Sequence, residues 1–307
     1  MILPEPLQNG DTIGVIAPAS PPDIKRLLTA IPFFESIGLR VKLGKHIDCV
    51  HGYLAGTDEE RLADFHEMIG DEAIKAIICA RGGYGTGRLL DSINYDLIAR
   101  NPKIIWGYSD ITFLHTAIRN KTGLVTFHGP MLSSDVADSK FDNLSASMFQ
   151  QLFYPTELYY TEAISNLDVL VEGKATGQIV GGNLSLIVNT LGTEYEIDTE
   201  HNILLIEDID EVPYRVDAML NQLKQAGKLD QVAGIVIGDF ANSEPKKLPS
   251  LTLYDVFLDY FGCLTCPVMS GFKIGHCFPH FAIPLGVHAT INTYKKNLLI
   301  SPGVANT

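Results

Sequence analysis

Five short apolar runs, at residues 11–17, 39–43, 73–80, 103–106 and 124–127, constrain this chain more than any other feature. Between them lie stretches whose apolar positions recur at helical spacing. A helix follows the rigid Pro18-Ala-Ser-Pro-Pro22 loop and runs to about residue 37, where Gly38 stops it. Thr57-Asp-Glu-Glu60 opens another with the Thr and Glu of a capping box. Strand and helix in alternation specify an α/β fold built on a parallel sheet.

From residue 152 to about 173 the rhythm fails, and this stretch reads as a crossing between two domains. Residues 174–185 resume it as a strand that enters a helix through two glycines. Residues 202–206 form an apolar strand ending in Glu207-Asp208-Ile-Asp210-Glu211. A helix over 213–225 is ended by Gly227, and strands follow at 232–237 and 268–272. Two alternating runs, 287–292 and 297–301, read as a closing hairpin. The expected organisation is an N-terminal domain over 1–155, a crossing over 156–173 and a smaller β/α domain over 174–307. At 307 residues and 46% hydrophobic content the chain can bury two cores of ordinary size.

The net charge is −13, with Lys and Arg scattered, which argues against a nucleic-acid partner. No apolar stretch is long enough to span a bilayer, so no membrane partner is expected. The N-terminus has no positively charged start and no apolar signal core, so the chain reads as cytosolic or already processed. Five cysteines are too few for a disulfide scaffold. Cys263-Leu-Thr-Cys266 with Cys277-Phe-Pro-His280 imitates a zinc site, but the strand-like run 267–272 between them would carry the two pairs apart. No metal or other cofactor is expected.

The run at 103–106 passes through Gly107-Tyr108-Ser109-Asp110 into a helix. A serine on a sharp strand-to-helix turn displays its oxygen clear of the sheet, beside a helix N-terminus and the following backbone N–H. Serine also favours the N-cap position, so the local pattern leaves both readings open. Arg81-Gly82-Gly83-Tyr84-Gly85-Thr86-Gly87 follows the third strand, and its glycines demand tight turning or a close approach. Their order is not that of a dinucleotide loop, which disfavours an NAD-dependent enzyme. They fit a ligand-facing loop at the carboxyl edge of a parallel sheet.

Ser109, Glu207 and His276 all stand where strands run out, and they offer a nucleophile, an acid and a base. A serine hydroxyl needs an imidazole to take its proton, and the imidazole needs a carboxylate to fix its tautomer. Glu207 also reads as part of a solvated acidic turn or a cation site, and His276 as a structural loop histidine.

Six motifs in order, Ala80-Arg-Gly-Gly-Tyr-Gly85, Gly107-Tyr-Ser-Asp110, His128-Gly-Pro-Met131, Gly181-Gly-Asn-Leu184, Ile206-Glu-Asp208 and Gly275-His276 with Pro284-x-Gly286, resemble the LD-carboxypeptidase family of serine peptidases. That family also contains the microcin C immunity peptidases. The resemblance implies Ser109 as nucleophile, Glu207 orienting His276, and His276 as general base and then acid. It implies an oxyanion hole from the backbone of Gly82, Gly83 and Asp110. It implies an N-terminal α/β sandwich, a C-terminal β/α domain, an active site in the groove between them, and a homodimer. The family's usual reaction removes the terminal D-alanine of murein tetrapeptide during cytoplasmic wall recycling. A carboxypeptidase must grip a free carboxylate, and Arg81 and Arg88 are the candidates, although either could pair within the fold. The alternatives are a microcin-type peptidase acting on peptidyl-aminoacyl nucleotides and a non-catalytic small-molecule binding protein.

Overall fold

A computed structural model describes residues 1–306. The first part of the chain alternates as its apolar runs predict. β1 (Thr12–Ile16) leads to α1 (Ile24–Ser36), β2 (Arg40–Leu43), α2 (Asp58–Gly70) and β3 (Ile74–Cys79). After α3 (Tyr95–Arg100) come β4 (Ile104–Gly107), α4 (Thr112–Thr122), β5 (Thr126–His128) and α5 (Asn143–Ser147). The stretch read as a crossing holds two short strands, β6 (Leu158–Thr161) and β7 (Asp168–Val171). Then follow β8 (Lys174–Asn183), α6 (Leu184–Asn189), β9 (Ile203–Ile209), α7 (Pro213–Gln225), β10 (Gly234–Ala241) and α8 (Leu253–Phe261). The chain closes with β11 (Val268–Ser270), β12 (Ile283–Leu285), β13 (His288–Asn292) and β14 (Asn297–Ile300).

Two compact units result. The first comprises Met1–Thr156, Phe278–Gly286 and Pro302–Thr307; the second comprises Glu157–Cys277 and Val287–Ser301. In the first, a six-stranded sheet runs β12-β5-β4-β3-β1-β2. β1 to β5 are parallel, and only the edge strand β12 is antiparallel, pairing Pro284 with Phe127. All of β4, and all of β3 but Lys75, is buried, as a sheet sandwiched by helices requires. Trp106 is fully buried, stacks on Phe149 at 4.5 Å and donates its indole N–H to Pro130 O at 2.8 Å. The capping box of α2 is formed in both directions, with Glu60 N–H donating to Thr57 Oγ1 at 3.2 Å and Thr57 N–H to Glu60 Oε2 at 2.8 Å.

In the second unit an eight-stranded sheet runs β6-β14-β13-β8-β9-β10-β11-β7. Its centre, β8-β9-β10-β11, is parallel, while β13 and β14 form the antiparallel hairpin expected from their alternation. The helices α6, α7 and α8 bury Leu184, Val216, Leu220, Phe257 and Phe261 against Leu204 and Ile206. No helix among the described residues is long and apolar enough to cross a membrane.

Candidate active site

In the first unit β3 and β4 are neighbours and end at the same edge of the sheet. β3 releases the glycine loop there, and β4 releases Ser109. A 3₁₀ turn over Ser109–Ile111 joins β4 to α4. Ser109 sits at φ +62°, in the left-handed region, which costs a residue with a Cβ roughly 1–2 kcal/mol. Its hydroxyl does not cap a helix: the turn is capped by Tyr108 and α4 by Ile111, neither through a side-chain bond. The N-cap alternative therefore gives way to a strained serine on a sharp turn.

Gly82 packs directly over it. A Cβ on Gly82 would lie 2.9 Å from Ser109 Cβ, 3.0 Å from its Oγ and 3.3 Å from Asp110 N. Only glycine leaves this space open, so the serine oxygen, the Asp110 N–H and the glycine loop share one small region. Asp110 is buried, and its carboxylate accepts the Thr86 N–H at 2.8 Å. Burial raises the Asp110 pKa, opposed by the bonds from Thr86 and by the charge of Arg61.

The base of the turn is fixed by two side chains. Tyr108 donates its hydroxyl to Asp135 Oδ1 at 2.8 Å. His115 of α4 reaches back to Gly107 O at 2.8 Å; the carbonyl can only accept, so Nε2 carries the proton. Burial pushes the His115 pKa down to about 4, against an ordinary 6.5. Its folded value is the lower one, so its contribution is complete above pH 6.5 and is lost as pH falls toward 4. Chemical denaturation of wild type and His115→Gln at pH 7 and pH 4 checks this. The wild type should lose about 3 kcal/mol more than the variant over that interval. Equal losses would remove His115 as the source.

In the second unit Glu207 and Asp208 lie on β9, between β8 and β10. They are not a solvated turn: Glu207 is 0% and Asp208 2% exposed. Strand alternation sends them to opposite faces. Asp208 accepts from Asn183 Nδ2 at 3.0 Å, Ser185 N at 2.9 Å and Ser185 Oγ at 2.7 Å, tying β9 to the β8–α6 turn. Burial raises its pKa, partly offset by Ser185. Glu207 Oε2 meets His276 Nδ1 at 2.7 Å, and the imidazole is 12% exposed.

The loop that carries His276 closes tightly over the carboxylate. Gly275 stands at φ +119°, and a Cβ there would fall 2.5 Å from Glu207 Oε2. The loop is anchored by Asp239 N–H to Ile274 O at 2.9 Å, Lys273 N–H to the Tyr160 hydroxyl at 2.7 Å, and the Lys273–Asp239 ion pair at 3.0 Å. The structure thus brings together Ser109, Asp110 and Gly82 in one unit, and Glu207 and His276 in the other.

Of the two arginines expected to read a carboxylate, Arg88 makes a fork to Asp58 at 2.8 to 3.1 Å. Arg81 donates from Nε to Gly82 O at 3.2 Å and from Nη1 to Pro21 O at 3.3 Å. Cys263 is exposed, whereas His280 is buried in the first unit with its ring edge-on to Tyr108 at 4.8 Å. Among the described residues no group of three or more His, Cys, Asp or Glu could hold a metal ion. Two further polar residues have roles that the sequence pattern does not assign. Asn183 caps α6 from the end of β8 while holding Asp208, and Arg61 is buried beneath the glycine loop. Arginine one turn into a helix whose first turn is acidic was the available signal for the second.

The structure thus holds a strained serine where β4 ends and a buried carboxylate–imidazole pair beside β9. Residues 13–129 match the LD-carboxypeptidase N-terminal domain and residues 176–291 the LD-carboxypeptidase C-terminal domain. The chain belongs to the LD-carboxypeptidase family and is a carboxypeptidase by class. It is 56% identical to a probable murein peptide carboxypeptidase of Bacillus subtilis (strain 168), over 98% of this chain and 95% of that protein. It matches a structure of the microcin C7 self-immunity protein MccF in complex with glutamyl sulfamoyl guanosine, with a TM-score of 0.90, 28% identity and 98% of each chain covered. A muramoyltetrapeptide carboxypeptidase from Oxalobacter formigenes matches with a TM-score of 0.86 and 28% identity, over 96% of this chain and 100% of that one.

Proposed function

We propose that this protein is a serine LD-carboxypeptidase that removes the terminal D-alanine from murein tetrapeptide in cell-wall recycling. The observation that carries the reading is the left-handed backbone of Ser109, with Gly82 cleared away above its hydroxyl. A protein keeps such strain where the geometry is used. The similarity to murein peptide carboxypeptidases supports the substrate class.

On this reading His276 takes the proton from Ser109 Oγ as the oxygen attacks the carbonyl carbon before the D-alanine. Glu207 holds the Nδ1–H tautomer, so Nε2 is the base, and it stabilises the imidazolium that forms. The backbone N–H groups of Gly82 or Gly83 and of Asp110 receive the oxyanion. His276 returns its proton to the departing amine, D-alanine leaves, and water activated by the same imidazole releases the shortened peptide. Arg81, whose Nη2 makes no hydrogen bond among the described residues, is assigned to the substrate carboxylate. Arg88 is already forked to Asp58 and is the weaker candidate. The family resemblance supports a homodimer working in the cytoplasm.

The likeness to the microcin self-immunity protein supports a second reading, hydrolysis of a peptidyl-aminoacyl nucleotide. The one tryptophan, buried in a stack, offers no platform for a base, which ranks this second. Purified enzyme is given murein tetrapeptide, a peptidyl-aminoacyl nucleotide, and a serine-directed phosphonate. Release of D-alanine with labelling at Ser109 is the expected result. Labelling with cleavage of the nucleotide substrate alone transfers the function to the second reading. Release without labelling overturns the serine mechanism, and neither cleavage nor labelling leaves only a binding protein.

A further inference from the structure

α2 begins with three acidic residues, as the positive end of a helix favours, and then places Arg61 at its fourth position. The Arg61 side chain is wholly buried. A buried guanidinium is costly unless its donors are matched, and here Nε has no partner among the described residues. One of its nitrogens joins two separate segments of the chain. Nη1 donates to Pro18 O, just beyond β1, and to Gly85 O in the glycine loop at 2.9 Å, while Nη2 binds Asp58. Asp58 is itself held by Arg88.

What Arg61 grips leads directly to the nucleophile turn. Thr86, next to Gly85, donates its N–H to Asp110 Oδ2 and its hydroxyl to Asp110 O. At the other end of the loop Ser20 N–H donates to Gly82 O at 3.3 Å, and Tyr84 N–H to Ser20 Oγ at 3.2 Å. The segment from Pro18 to Ser20 and the loop from Gly82 to Thr86 are thus laced together, and the buried Arg61 side chain bonds to both.

We propose that Arg61 is a positioning residue for catalysis: by clamping Pro18 O to Gly85 O it holds the glycine loop at the height where Gly82 and the Asp110 N–H face Ser109 Oγ. This rests on the serine reading above. Arg61 touches no substrate and acts only through the loop. Its loss should lower the rate of chemistry without weakening binding, because displacement of donors by about 1 Å typically costs on the order of a hundred-fold.

Arg61→Gln and Arg61→Lys are compared with wild type by phosphonate labelling of Ser109, by kcat and KM for D-alanine release, and by thermal melting. The Gln variant should label and turn over about a hundred-fold more slowly, with KM changed less than about three-fold. The Lys variant keeps the charge with a shorter reach and should recover about ten-fold of that loss. Gln at the wild-type rate, or a rate that falls only with the fraction folded, overturns the proposal. So does a loss carried by KM. Where the Gln variant does not fold, Lys decides, and a wild-type labelling rate there is the overturning result. Absence of labelling in wild type fails the serine reading instead, and labelling without D-alanine release fails only the substrate.

Discussion

Ser109→Ala is expected to lower kcat for D-alanine release by on the order of 10⁶-fold, with KM little changed, because on the proposed serine mechanism it removes the nucleophile and leaves only binding and the oxyanion donors. The same position carries a second, independent signature. Alanine keeps a Cβ at φ +62° and so keeps the strain, whereas glycine adopts that backbone freely. Glycine also gains freedom in the unfolded chain, which offsets roughly 0.5–1 kcal/mol of the relief. The net expectation is that Ser109→Gly is more stable than Ser109→Ala by about 0.5–1 kcal/mol, or roughly 2 °C in a chain of this size. Both variants should be inactive and unlabelled by phosphonate. Turnover by Ser109→Ala at the wild-type rate would sink the mechanism. Equal melting of the two variants would show that the turn carries no strain worth selecting, even if the serine is the nucleophile.

How much of this was legible beforehand depended on whether the signal was local. The strands of the first unit announced themselves because β4 and all of β3 but Lys75 are buried and read as near-continuous apolar runs. The starts of α2 and α7 were readable because a capping box and an N-terminal proline act within one turn. β12 was not: three residues become a strand only because β5 offers them an edge. β6 and β7 hid for the same reason, each being a four-residue edge strand whose partner, β14 or β11, lies about a hundred positions away or more. Ser109 stood out through its strand–turn–helix context, but its two roles could be separated only by the backbone angle. Glu207 was obscured by its acidic neighbours, because a run of carboxylates reads as solvated until a central strand turns one to each face. Arg61 could not be read at all as a clamp, since its acceptors converge only once β1, α2 and the glycine loop have folded together.

Glu207→Gln is expected to lower kcat by on the order of 10⁴-fold, the scale on which loss of the orienting carboxylate acts in serine triads. The substitution is nearly isosteric, and the site cannot readjust around it. Gly275 closes on Oε2, and a Cβ at Gly238 would fall 3.1 Å from Glu207 Cβ, so the side chain is held where it is. An amide there either offers Nδ1 a donor, which puts the proton on Nε2 and abolishes the base, or accepts from Nδ1 without the charge that stabilises the imidazolium. Both outcomes strike the chemical step and leave substrate binding alone. Stability should move the other way. Glu207 Oε1 is buried with no partner among the described residues, so neutralising this carboxylate should leave the melting temperature unchanged or raise it. Glu207→Asp keeps the charge but withdraws it by a methylene, and should fall between Gln and wild type in both kcat and phosphonate labelling rate. A Gln variant that melts early and loses activity only in proportion would make Glu207 a structural residue. One that stays folded and labels at the wild-type rate would remove it from the triad, leaving His276 to be oriented by its loop alone.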